Sequence, residues 1–150
     1  MGNTAHTNLL KEMRRALLAE FGALAIYGHL QARTRDQELL RVLLEMEAEQ
    51  AKQIEELREV MRALGAEPRR GSLRRRLLAR LAAWSAIPFG LPRVLRLCRQ
   101  AQTIGARWYA QYREHLVRIG ELDLALACER LSDTKTRHAN RMQLFALGSG

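Results

Sequence analysis

EMEAEQAKQIEEL, residues 45–57, decides how this chain is read. At helical spacing it splits into two stripes. Met46, Gln50, Gln53 and Leu57 share one face, and Glu45, Glu49, Lys52 and Glu56 share another. Such an i, i+3/i+4 charge stripe marks a solvated helix face. The opposite stripe is apolar at its ends and carries two neutral amides in its middle, where an amphipathic helix ordinarily stays apolar. The stretch contains no His at all.

Working outward, the pattern predicts a helix from Asp36 to Leu64, stopped by Gly65-Ala66-Glu67-Pro68. A Gly cap with a following Pro is a helix-stop signal. Pro occurs only at 68, 88 and 92, and no alternating β-branched run appears. Three further long helices follow by the same reading. They run from Asn8 to Arg35, from Pro92 to Gly120 and from Glu121 to Leu147. Short connections at 34–37 and at Gly120 imply two antiparallel hairpins, joined by a longer middle. The expectation is an all-α, antiparallel four-helix bundle with one long crossover, in a single domain with its core over residues 8–147.

The heptad faces say what lies inside. The second helix gives Leu39, Leu43, Met46, Gln50, Gln53, Leu57, Val60 and Leu64. The fourth gives Leu124, Cys128, Leu131, Lys135, His138, Met142 and Phe145. The third gives Leu95, Cys98, Gln102, Gly105, Tyr109, Tyr112, Leu116 and Ile119. The first gives Met13, Leu17 or Ala16, Glu20, Leu24 and Tyr27. Every stripe is apolar at both ends and polar near its middle. A short repeat accompanies this layout. EFGALAIY (20–27) and QTIGARWY (102–109) each place a polar residue seven positions before a Tyr.

The polar middle is therefore Glu20, Gln50-x-x-Gln53, Gln102 and Lys135-x-x-His138. Di-iron carboxylate bundles carry one Glu on each of two helices and Glu-x-x-His on each of the other two. With the same one, two, one, two distribution, the chain resembles the ferritin-like superfamily. The Glu and Tyr of the first helix and the LGAEP ending of the second resemble rubrerythrin-type proteins. The apolar crossover resembles demethoxyubiquinone hydroxylase. The resemblance implies a ferritin-like fold, and in its enzymes an iron cofactor and oxidase or hydroxylase chemistry. It also implies pairing of copies through helix faces as a homodimer.

At the six ligand positions only Glu20 and His138 keep residue types that hold iron. Amides are poor iron ligands, and two iron ions need several carboxylates and imidazoles around them. Lys135 would bring an ammonium into the site instead. The expectation is a degenerate, metal-free centre with no cofactor, in which Lys135 balances Glu20 and the amides satisfy both. A helix 2 rotated by one position would offer Glu20, Glu49 and His138 to a single metal ion. A blander reading makes Gln50 and Gln53 tolerated polar residues on a loose face. Tyr27, Trp108, Tyr109 and Tyr112 read as packing, and His6, His29 and His115 as surface residues.

The charge is uneven. Of the formal +9, all the excess lies between Arg69 and Arg99, where nine Arg and no acid occur. The remainder balances 16 basic against 16 acidic residues. Residues 69–91 read as a basic amphipathic crossover carrying a short helix. Arg74, Arg75, Arg76, Arg80 and Arg93 would meet lipid phosphates while Trp84 and Phe89 enter the interface. A short helix packed over the bundle end, its Arg side chains merely solvated, is the competing reading. The longest apolar run, Leu81–Pro92, has 12 residues, short of the roughly 20 that span a bilayer. No stretch reads as a signal peptide, and MGNTAHT departs from a myristoylation signal at His6. Cys98 and Cys128 lack metal spacing and read as reduced thiols. The location that follows is cytoplasmic, peripheral on the inner face of a membrane.

Three functions are compatible with these residues. The first is a non-catalytic ferritin-like protein at an anionic membrane surface, accommodating a quinone or other lipid. The second is a di-iron or mononuclear oxidase or hydroxylase. The third is a basic module for nucleic acid or an acidic protein, for which pI ≈ 10.7 speaks and no recognition motif does. No Ser-His-Asp spacing and no phosphate loop is present.

Overall fold

The computed structural model describes residues 2–68 and 90–147, and among these it is helical with no strand. The described residues form four helices, α1 (Gly2–Arg33), α2 (Gln37–Ala63), α3 (Leu91–Arg118) and α4 (Leu122–Leu147). The basic amphipathic crossover expected over 69–91 lies outside the described residues except for Gly90 and Leu91. None of the described helices is long and apolar enough to cross a membrane.

Local chemistry fixes the helix ends. Asp36 caps α2, its carboxylate accepting from the backbone N–H of Glu38 at 2.9 Å and of Leu39 at 3.2 Å. These are two of the donors that a helix start leaves unpaired. Gly65 closes α2 at φ 83°. Its N–H reaches the Arg62 carbonyl and that of Ala66 reaches the Met61 carbonyl, both at 2.9 Å. Gly120 closes α3 the same way at φ 81°, with Glu121 N–H on the Leu116 carbonyl. Both are left-handed caps that a Cβ would strain.

Two boundaries differ from the expectation. α1 starts at Gly2, six residues before Asn8, although the segment carries no apolar periodicity. A tertiary bond anchors it, because the His6 ring donates from Nε2 to the Leu64 carbonyl at 2.9 Å. α3 ends at Arg118, so Ile119 leaves the helical stripe and is exposed rather than buried. Otherwise the four stripes face inward. All eight α2 positions are buried, from Leu39 to Leu64, and on α1 only Leu24 stays partly exposed. Cys98 and Cys128 are free and buried, and burial pushes both thiols up to about 12.

α1 packs on α2 and on α3, and α4 packs on α3 and on α2. The α3–α4 contact is the most extensive and the α1–α3 contact the thinnest. The core is in two parts. One gathers around Met13, Leu17, Leu57, Met61, Tyr109, Leu116 and Leu131. The other gathers around Tyr27, Leu30, Leu43, Met46, Leu95 and Met142. The polar residues of the four stripes lie between the two parts along each helix.

Replacing Asp36 by Ala removes the cap of α2, so urea unfolding is expected to show a loss of about 1 kcal/mol with an unchanged m-value.

Candidate functional site: a buried polar layer

Periodicity brings Glu20, Gln50, Gln53, Gln102, Lys135 and His138 to one depth, and all six are buried. Their contacts converge on Glu20. Lys135 Nζ and Gln50 Nε2 both donate to Glu20 Oε2. The Tyr109 hydroxyl donates to Oε1 at 2.6 Å. Gln50 Nε2 also reaches the Glu20 backbone carbonyl at 3.1 Å. Lys135 completes a triangle by donating to Gln50 Oε1 at 2.9 Å. One carboxylate on α1 is thus held by one residue from each of the other helices.

Each donor has a physical reason to be there. A buried carboxylate without partners would cost several kcal/mol, and an ammonium at hydrogen-bond distance offsets most of that. Burial holds Lys135 below the ordinary ammonium value, and the facing Glu20 opposes that shift. Burial, then the charge of Glu20, pushes the Tyr109 phenol well up, so it stays a donor. The lysine stem lies against Gly105, where an added Cβ would make ordinary van der Waals contact, 3.5 Å from Lys135 Cδ.

The other half of the layer is less complete. Gln102 Nε2 donates to the Tyr27 hydroxyl. The Tyr27 ring meets the His138 ring edge-on, with centroids 6.5 Å apart. His138 Nε2 pairs with Glu49 Oε2 at 2.8 Å. Burial lowers the His138 value, and the Glu49 hydrogen bond opposes this. Among the described residues, both amide atoms of Gln53, Gln102 Oε1 and His138 Nδ1 are buried without a partner.

A cleft of about 230 Å³ opens between α1 and α3 beside this layer. Small residues make it, namely Ala19 and Ala23 on α1 and Ala101 and Gly105 on α3. Its floor carries Glu20, Gln102 and Lys135.

Three features escape a single-sequence reading. Tyr27 and Tyr109 pack as expected, yet their hydroxyls belong to the polar layer. The repeat of residues 20–27 and 102–109 was the available signal. It becomes reciprocal, with Glu20 bonded to Tyr109 and Gln102 bonded to Tyr27. The acidic stripe of α2 is not merely solvated. Glu45 pairs with Arg141, Glu49 with His138 and Glu56 with Arg130, a ladder onto α4. His6, His29 and His115 are part-buried rather than on the surface. Of the residues assigned to a lipid surface, Arg93 is exposed in the first turn of α3. Arg74, Arg75, Arg76, Arg80, Trp84 and Phe89 lie outside the described residues.

The residues do not fit two iron ions. Both oxygens of Glu20 carry protein donors, an ammonium stands among them, three of the remaining positions are amides, and the one imidazole, His138, is paired with Glu49. The single-metal set is not gathered either. His138 and Glu49 meet, but among the described residues no three His, Cys, Asp or Glu side chains come together as metal ligands do. Gln50 and Gln53 are the inward residues of α2, while Glu49 stays partly exposed. No protein-family model, curated protein or solved structure matches the chain.

Two expectations follow. Tyr109→Phe leaves Glu20 Oε1 buried without its donor and should cost about 1–3 kcal/mol in urea unfolding. His138 binds its proton less readily folded than unfolded, so stability is full above the unfolded value near 6.5 and falls as pH drops below it. His138→Gln should therefore flatten the fall in urea midpoint between about pH 6.5 and pH 5; an unchanged slope would contradict the assignment.

Proposed function

We propose that the chain is a non-catalytic bundle of the ferritin-like kind, antiparallel with one long crossover. In this reading its polar centre closes on itself instead of taking metal. The protein accommodates a lipid or quinone between its helices at an anionic membrane surface. The antiparallel arrangement is supported by the order of the α2–α4 ladder, in which 45, 49 and 56 meet 141, 138 and 130. It is also supported by His6 reaching Leu64 while Gln31 reaches Glu47. The crossover reading rests on the 27 residues between Ala63 and Leu91, against three in each of the other connections.

The observation that carries the reading is the engagement of both Glu20 oxygens by Lys135, Gln50 and Tyr109. These donors take three of the carboxylate's about four acceptor sites, and the ammonium on Oε2 repels a second cation. A lysine bonded to it would have to be displaced, at the full cost of an uncompensated buried charge. The membrane half rests on the acid-free Arg cluster of residues 69–99. Each basic residue near an anionic surface contributes about 1 kcal/mol, so the attachment is stable and salt-sensitive.

Two measurements test the two halves. Protein purified from iron-supplemented cells is expected to carry no stoichiometric iron, and roughly two irons per chain would overturn the reading of the centre. The full chain should float with anionic vesicles at low salt and detach as salt rises. Failure to bind them, together with a steep salt dependence on DNA, would replace the membrane with nucleic acid.

A further inference from the structure

We propose that the α1–α3 face of the bundle is the surface that lies on an anionic bilayer, with Leu97, Ile104 and Trp108 in the interface and Arg96 and Arg107 on lipid phosphates. This assignment rests on the membrane half of the proposed function and names the face that meets the lipid.

Three observations converge on this face. The first is how charge divides the bundle. α1 and α3 together carry ten basic and three acidic residues, whereas α2 and α4 carry eight and ten. Of the three acids, Glu20 is buried, Glu12 is paired with Arg15, and Glu114 comes late in α3. The second is the line of cations left over. Arg96, Arg107 and Arg118 recur every 11 residues, three helical turns, so they share one side of α3. All three are exposed, and none has an ion-pair partner among the described residues. The third is the apolar line beside them. Leu97 and Ile104, one heptad apart, are 48 % and 46 % exposed. Ile104 and the half-buried Trp108 wall the cleft opposite Ala19 and Ala23 of α1.

An apolar line flanked by Arg is what a helix lying in a bilayer interface presents. Here a helix of the bundle presents it in place, and long Arg stems let the cations reach phosphate while the apolar side chains sink. Other occupants fit less well. A nucleic acid would engage the cations and leave Leu97 and Ile104 in water. A second copy on the same face would set one basic surface against another. A bilayer uses both lines at once. With this face down, the mouth of the cleft opens onto acyl chains, so a lipid tail reaches it without crossing water.

The test uses the full chain with Trp84→Phe, which leaves Trp108 as the single tryptophan. Vesicles of phosphatidylglycerol and phosphatidylcholine, with and without bromine on the acyl chains, are the probe. At low salt Trp108 emission should move to shorter wavelength and be quenched by the brominated lipid. In flotation of the otherwise wild-type chain, Arg96→Gln with Arg107→Gln should bind about 30-fold more weakly, the equivalent of about 1 kcal/mol for each charge. Lys52→Gln with Arg137→Gln removes the same charge from exposed positions on α2 and α4. Held away from the surface by more than a Debye length of about 10 Å, that pair should change binding less than about three-fold. A chain that floats with Trp108 unquenched, or equal losses from the two double variants, would overturn the face and leave the membrane reading standing. Wild type that does not float sinks the membrane reading and this face with it. A shift of Trp108 emission that grows with protein concentration in the absence of vesicles would give the face to a second copy instead.

Discussion

Lys135 carries its ammonium from α4 to Glu20 on α1, two helices that do not otherwise pack on each other. Everything around it follows from the need to keep two charges in a dry interior. Gln50 from α2 bridges them, and Tyr109 from α3 takes the remaining carboxylate oxygen. Apolar clusters on either side drive folding but tolerate sliding, since one Leu packs much like another. A hydrogen-bonded charge at one depth tolerates none. Moving α1 or α4 by a turn, about 5.4 Å, would leave a buried carboxylate or ammonium alone, and moving α2 or α3 would strip the pair of a neutral partner. The polar layer is therefore best understood as the element that sets register, as a lone buried polar residue does in coiled coils.

The same constraint shapes its surroundings. The lysine stem crosses the bundle against Gly105. Small residues facing that glycine from α1 keep the two helices only thinly packed, and the cleft is what remains. Gln53, with neither amide atom paired, and the half-satisfied Gln102 and His138 belong to the same layer. Leaving such atoms unpaired costs stability, so they mark where the molecule has more polar capacity than its own chain uses.

Much of this was legible in the sequence, and for a definite reason. Heptad spacing specifies which residues face inward, and the α2 stripe from Leu39 to Leu64 is buried at every position. Depth was legible too, because the polar residues of four stripes fall at matching distances from the connections. Ile119 failed because periodicity says nothing once a glycine cap has ended the helix one residue earlier. The first turns of α1 were missed because a tertiary bond from His6, not local pattern, holds them. The α2–α4 ladder was invisible because a paired acidic stripe and a solvated one look alike, and its partners lie 74 to 96 positions away. The cleft depends on how closely two helices approach, which small residues permit without dictating.

The most direct test of the internal ion pair is a double-mutant cycle on Glu20→Gln and Lys135→Met, read by urea unfolding at neutral pH. If the two charges neutralise each other inside the bundle, each single change should cost about 3–5 kcal/mol and the double change less than either. Single losses below about 1 kcal/mol that simply add would place both side chains in water and contradict the account.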